Sequence, residues 1–230
     1  MSRSPRRLKA LLLNDTSWDD HHGCQLVVQQ IHRFAAQAGI DIIWSSPVGH
    51  SWQTDKKLLD CLATIDLCLL NGEGTMHDDA PAALCLLEAV HYFASREIPC
   101  FLINSVWQNN DQLNHYLKDF SAIYVRDALS QQAIQATSLL AQVVPDLTLS
   151  WPYSETTFDR QGLLINGGVL LETQQQAWRA SKFTPDARYL SIRTLPPLRF
   201  KAHDRGYANK SLKQRFKHLR HLFSSYLLRG

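Results

Sequence analysis

The sequence predicts an α/β protein: a Rossmann-like, doubly wound parallel sheet followed by a second, smaller and reduced α/β segment. Apolar runs rich in Leu, Ile and Val recur over 8–14, 40–46, 65–72, 100–105, 122–127 and 142–146. Each is nearly continuous rather than alternating, as strands buried on both faces of a parallel sheet require. Helical patterns lie between them. Residues 23–38 place Leu26, Ile31, Phe34 and Ala38 toward one face and stop at Gly39, and residues 81–95 open on Pro81 and carry Leu84, Leu87, Val90 and Phe93 at helical spacing. Strand–helix–strand alternation of this kind defines a first domain over 1–149.

The stretch SWPYSETTFDRQG (150–162) mixes Pro, aromatic and polar residues and reads as a linker. Beyond it, over 163–230, come a strand at 163–168, a helix near 171–181 and a strand at 188–193, stopped by Pro196-Pro197. In the last stretch Leu212, Phe216, Leu219, Phe223 and Leu227 recur at three- and four-residue steps with Lys and Arg between them, the pattern of a basic amphipathic helix. Its bland reading is a helix docked by its apolar stripe; its other reading is peripheral contact with anionic headgroups at the inner face of a membrane. Nucleic acid is the weaker partner, because no recognised binding module accompanies the charge.

Composition excludes several classes. The 230 residues are 45% hydrophobic and 20% charged, which is ordinary for a globular protein. Five cysteines without CxxC or CxxH spacing argue against a zinc site or a disulfide framework, and a reducing cytoplasm fits. The basic start precedes an apolar run too short for a signal peptide or a membrane span. The net charge of +3 conceals an asymmetry, for nine Lys or Arg stand against one acid from Arg199 onward. An anionic partner near the C-terminus is the consequence.

In a parallel sheet the functional crevice lies beyond the carboxyl ends of the strands, so the polar residues there are the candidates. Strand one ends in Asn14-Asp15 and leads into DDHHGC (19–24); strand three ends in NGEGTMHDD (71–79). Strand four ends in NSVWQNN (104–110), strand five in Arg126-Asp127 and strand six in Pro145-Asp146. Gly72 and Gly74 flank Glu73, which lets the backbone turn and expose N–H groups while the carboxylate stays available; equally, this is a strand-to-helix turn whose acids cap the next helix. No GxGxxG or P-loop is present, so neither a dinucleotide nor a triphosphate is signalled. His77-Asp78-Asp79 are consecutive and splay apart, which argues against a metal.

His21 and His22 precede a helix, where an imidazole can serve as general acid or base, or simply sit in a solvated loop. Arg126 at a strand tip forks onto a carboxylate or phosphate of a ligand, or pairs internally with a carboxylate such as Asp146. Asp127 is placed to cap the following helix or to steer the guanidinium.

Taken together, NDTSWDDHHGCQLV, LLNGEGTMHDD, INSVWQNN, and IYVRDALSQQAI followed by VVPDLTLS resemble the polysaccharide pyruvyl transferase family over roughly 8–150. The Arg-Asp-x-x-Ser turn with a Pro-Asp at the next strand end is the most specific part. The resemblance implies a glycosyltransferase-B-like architecture and transfer of a pyruvyl group from phosphoenolpyruvate to two hydroxyls of a sugar in a surface-polysaccharide precursor, lipid-linked where the acceptor rides a carrier, with no cofactor. By residue type and placement rather than by carry-over from the family, His21 or His22 fits proton transfer, Glu73 the acceptor side and Arg126 the donor's anionic groups. The same placement puts Asn14, Asp15, Gly72, Gly74, Thr75, Asn104, Ser105, Asp127, Ser130 and Asp146 around the substrates, with Arg193 and Arg199 as candidate donor contacts that no motif supports. The second domain is shorter than that family's, so either a partner or a second copy supplies the missing wall, or the fold is kept as a non-catalytic binding or assembly protein. Glycosyl transfer from a nucleotide sugar is the alternative chemistry on the same scaffold.

Overall fold

A computed structural model of the chain describes residues 6–19, 21–152, 161–168, 171–190 and 192. It divides into two compact units. The first holds residues up to Thr16 together with Val27–Trp151; the second holds Ser17–Leu26 together with the chain from Pro152 onward. A boundary read linearly at 149 lies two residues from Trp151, but the return of Ser17–Leu26 to the second unit is a tertiary fact with no local signal.

The first unit is built on six parallel strands: β1 (Leu8–Asp15), β2 (Ile40–Pro47), β3 (Leu67–Glu73), β4 (Cys100–Ser105), β5 (Ala122–Val125) and β6 (Gln142–Val143). Their order is β2-β1-β3-β4-β5-β6. The helices are α1 (His22–Gln37), α2 (Lys56–Cys61), α3 (Pro81–Ala94) and α4 (Ala128–Gln135). Alternate residues of each central strand face opposite layers. Leu12, Leu69 and Ile103 pack with Val27, Val28 and Ile31 of α1. Leu11, Leu13, Cys68, Leu70 and Leu102 pack with α2, α3 and α4 through Leu58, Leu87, Val90, Phe93 and Ile134. The sheet is therefore covered on both faces, and the chain leaves β1 and β3, which are neighbours, toward opposite sides. That divergence opens a crevice at their carboxyl ends, the usual ligand position in doubly wound sheets.

Two expectations are corrected by burial. The run 142–146 is not a strand buried on both faces: β6 spans two residues, both exposed, because it is the edge of the sheet. β2 is the other edge, and Ser46 is the one buried residue in it. The buried stripe of α1 is Val27, Val28, Ile31 and Ala35, so Phe34 is 38% exposed and Leu26 is only partly covered. In α3, Leu87, Val90 and Phe93 are buried as the spacing predicts, while Ala83 rather than Leu84 completes the face. The short helix α2 is not announced by periodicity; Asp55 caps it by accepting from the Leu58 N–H.

In the second unit β7 (Leu163–Asn166) and β8 (Ala187–Leu190) pair in parallel across α5 (Leu171–Phe183). The greater part of the expected linker, the continuation of the last strand past 192, Arg193, Arg199 and the basic amphipathic stretch lie outside the described residues. Among the described residues no helix is long and apolar enough to cross a membrane.

Gly72 illustrates how tightly β3 and β4 meet. A Cβ on Gly72 would overlap the Ser105 side chain and come 3.0 Å from the Ser105 Cα, whereas one on Gly74 would meet nothing within 4 Å. Gly72→Ala is therefore expected to lower stability by about 1–3 kcal/mol in urea unfolding, as overpacking does, and Gly74→Ala to stay within about 0.5 kcal/mol of the parent. Equal midpoints for the two variants would contradict the close strand contact.

Candidate functional site

The candidate site of the first unit lies at the switch between β1 and β3 and extends along the tips of β4, β5 and β6. Its backbone bends in one recurring way. Asn14 at the end of β1, Glu73 at the end of β3 and Asn104 in β4 have φ of 59°, 41° and 51°. Asn tolerates this left-handed region and Glu does so less readily. Neither Gly72 nor Gly74 has a positive φ, so the turn expected of the glycines is made by Glu73 itself. Gly72 serves packing, and Gly74 leaves open space beside the carboxylate.

A ladder of amides crosses the strand tips. The Asn14 Nδ2 donates to the Asn71 carbonyl at 2.7 Å and to Thr75 Oγ1 at 3.2 Å. The Asn71 Nδ2 faces Asn14 O at 3.3 Å, Thr16 Oγ1 at 3.5 Å and Glu73 Oε2 at 3.2 Å. Asn104 donates from Nδ2 to Asn71 Oδ1 at 3.4 Å and accepts at Oδ1 from the Leu147 N–H at 3.2 Å. Asn14, Asp15, Asn71, Asn104 and Ser105 are all buried, and Glu73 is half-buried at their outer side. The structure thus brings Asn14, Asp15, Gly72, Glu73, Gly74, Thr75, Asn104 and Ser105 to one edge. Asn71 stood in the run NGEGTMHDD without an assigned role, because its bonds to Asn14 and Asn104 join separate strands and leave no local signal.

Arg126 adopts the internal pairing. Its Nη1 donates to Asp146 Oδ2 at 2.7 Å and its Nη2 to the Glu73 carbonyl at 3.1 Å. The Glu73 carbonyl also accepts from the Val106 N–H at 3.4 Å. The guanidinium therefore ties β5 and the turn after β6 to the one strained peptide of β3. Burial pushes the Asp146 carboxyl up, but the Thr148 N–H and hydroxyl and the Arg126 guanidinium outweigh it and hold the carboxyl below its usual range. Asp127 caps α4, accepting from the Ser130 N–H at 2.8 Å and from the Ser130 hydroxyl at 2.9 Å. Ser130 is buried and accepts from the Trp107 N–H, so the Asp-x-x-Ser pair fastens the β4 and β5 exits together.

His21 and His22 belong to the second unit. His21 Nδ1 accepts from the Cys24 N–H at 3.3 Å, capping α1. The His22 N–H donates to the Ile192 carbonyl. His77 and Asp78 do not splay apart as expected, since their side chains bond at 2.9 Å; Asn109 and His77 together hold the Asp78 carboxyl below its usual range, while Asp79 turns away and accepts from the Gln112 N–H. Among the described residues no group of three metal-ligating side chains is assembled. Beside Asn104, an apolar cleft of about 210 Å³ lies between α1 and the outer strands, walled by Ile31, Ile103, Tyr124, Val144 and Leu147.

No family model matches the chain, and no curated protein matches it.

The Arg126–Asp146 bridge has a pH signature. A carboxyl held below its unfolded value stabilises the fold above about pH 4, and the contribution fades as pH falls through the folded value. Asp146→Asn is therefore expected to be less stable than the parent at pH 7, with the two urea midpoints converging in acid. A gap that is the same at pH 7 and about pH 2.5 would remove the bridge from the stability account.

Proposed function

We propose that the chain is a transferase of the pyruvyl-transfer type, in which the first unit receives the hydroxyls of an acceptor sugar and Glu73 is the base that takes a hydroxyl proton. One observation carries the reading: a glutamate, not a glycine, occupies the left-handed position at the switch point, with φ 41° and its carboxylate half-exposed beside the open space at Gly74. Such a conformation costs about 1–3 kcal/mol and persists where the surroundings over-determine it, commonly at functional sites.

The chemistry balances without a cofactor. A proton adds to the methylene carbon of phosphoenolpyruvate, the central carbon develops oxocarbenium character and the first sugar hydroxyl adds to it; the bond from that carbon to the phosphate oxygen then breaks, and the second hydroxyl adds to the oxocarbenium so formed. One ketal and one inorganic phosphate result, and of the two hydroxyl protons that bases remove, one makes good the proton given to the methylene carbon and the other goes to the phosphate. His21 and His22 are the proposed proton carriers on the donor side. Thr75 and Glu73 offer the hydroxyl and the carboxylate that sugar hydroxyls bond, with Asn14 holding the Thr75 hydroxyl oxygen.

The Arg126–Asp146 bridge favours a second reading, a non-catalytic binding or assembly protein, because it withdraws the expected anion clamp into the fold. Release of inorganic phosphate from phosphoenolpyruvate, followed by ³¹P NMR with a panel of sugar acceptors, separates the two. Transfer predicts acceptor-dependent phosphate release that falls about 10²- to 10⁴-fold in Glu73→Gln; sugar binding by calorimetry with no phosphate release supports the binding protein instead. Glu73→Gly is expected to match or exceed the parent's thermal stability by up to about 1 kcal/mol while losing turnover, since glycine relieves the backbone. A large loss of stability in that variant would make Glu73 a structural residue.

A further inference from the structure

We propose that Asn71, to which no motif assigns a task, is the positioning residue that fixes the Glu73 carboxylate; this rests on Glu73 being the reacting base of the reading above. Asn71 is fully buried in β3, in the row where its strand otherwise carries leucine. A buried amide is costly unless its polar atoms are bonded, by about 1–3 kcal/mol for each one left unpaired, so a polar residue here needs a reason.

The bonds supply both the orientation and the reason. Asn104 Nδ2 donates to Asn71 Oδ1, which fixes the flip of the amide and turns its Nδ2 toward the crevice. Of the three acceptors that Nδ2 reaches, Asn14 O and Thr16 Oγ1 belong to buried residues, while Glu73 Oε2 belongs to the half-buried one. Asn104 is itself fixed by the Leu147 N–H. A chain of three side chains, each held by the one before, therefore ends on one oxygen of one carboxylate. Among the described residues no bond is made to the second oxygen, Oε1. One oxygen anchored and the other presented in a single rotamer is the geometry a general base requires, and such supporting groups set rate through position rather than binding.

Two measurements test this. The first is steady-state phosphate release by Asn71→Asp, which keeps the size and the acceptor for Asn104 but removes the donor, beside Thr16→Val as a neighbour that leaves the Glu73 bond intact. The expected result is a kcat about 10- to 100-fold lower for Asn71→Asp with the acceptor KM within about 3-fold, and a near-parental Thr16→Val. The second needs no turnover and no substitution at Asn71: in ¹⁵N-labelled protein, Glu73→Gln should move the Asn71 side-chain amide resonances more than those of any other asparagine. An unresponsive Asn71 amide, or an Asn71→Asp with parental kcat and only a lowered melting temperature, overturns the proposal. A parent that releases no phosphate ends the pyruvyl-transfer reading, and the amide response then decides for or against Asn71 by itself.

Discussion

The architecture of the first unit turns on one peptide, that of Glu73. Its left-handed φ directs the carbonyl toward β5, where Arg126 Nη2 and the Val106 N–H hold it, while its carboxylate returns to Asn71. Strain of about 1–3 kcal/mol is comparable to what two or three net hydrogen bonds contribute, one of them charge-assisted, so the conformation is sustained by its neighbours rather than by propensity. The adjacent tips at Asn14 and Asn104 bend the same way with a residue type that tolerates it. A glycine would have served Glu73's backbone equally well, and Gly72 and Gly74 on either side show that the sequence does place glycine in this turn. The side chain is what the position keeps.

The adjacent opposite charges at Arg126-Asp127 follow from this constraint. Successive side chains leave an extended strand in opposite directions. Asp127 turns into the first turn of α4, and Arg126 reaches across to Glu73 and Asp146. The two never meet as a pair; each is matched to something else. A guanidinium needed to hold a strained carbonyl within a half-buried edge requires a counter-ion, and Asp146 supplies it while Thr148 satisfies the other carboxylate oxygen. The Pro-Asp at the sixth strand end and the Arg-Asp at the fifth are thus one device split over two segments.

Legibility in the sequence follows burial. The runs of β1, β3 and β4 are continuous because those strands have helices on both faces, so pattern alone places them and their order of appearance. β2 and β6 lie at the edges, where exposure dilutes the apolar signal, and the second of them shrinks to two residues. The strand tips were legible as a set because parallel strands must end on one side. Their roles were less so: of the two roles open to Asp127 in sequence, helix cap or steering of the guanidinium, it takes the cap, and Ser130, placed there among the substrate contacts, is bonded to it within the fold. Asn71 stood in the run NGEGTMHDD without a role of its own, since its bonds to Asn14 and Asn104 depend on neighbouring strands. The membership of Ser17–Leu26 in the second unit is likewise a matter of contacts, not composition.

Charge decides what the tips of the first unit can attract. Asp15, Glu73, Asp127 and Asp146 stand there against Arg126, and Arg126 is already matched to Asp146. A phosphate and a carboxylate arriving together would meet an acidic rim in a partly desolvated crevice, where repulsion is weakly screened. A neutral polyol would meet the partly exposed Thr75 hydroxyl and Glu73 carboxylate without a like charge to overcome. The positive charge of the sequence is concentrated instead from Arg199 onward, where nine Lys or Arg stand against one acid.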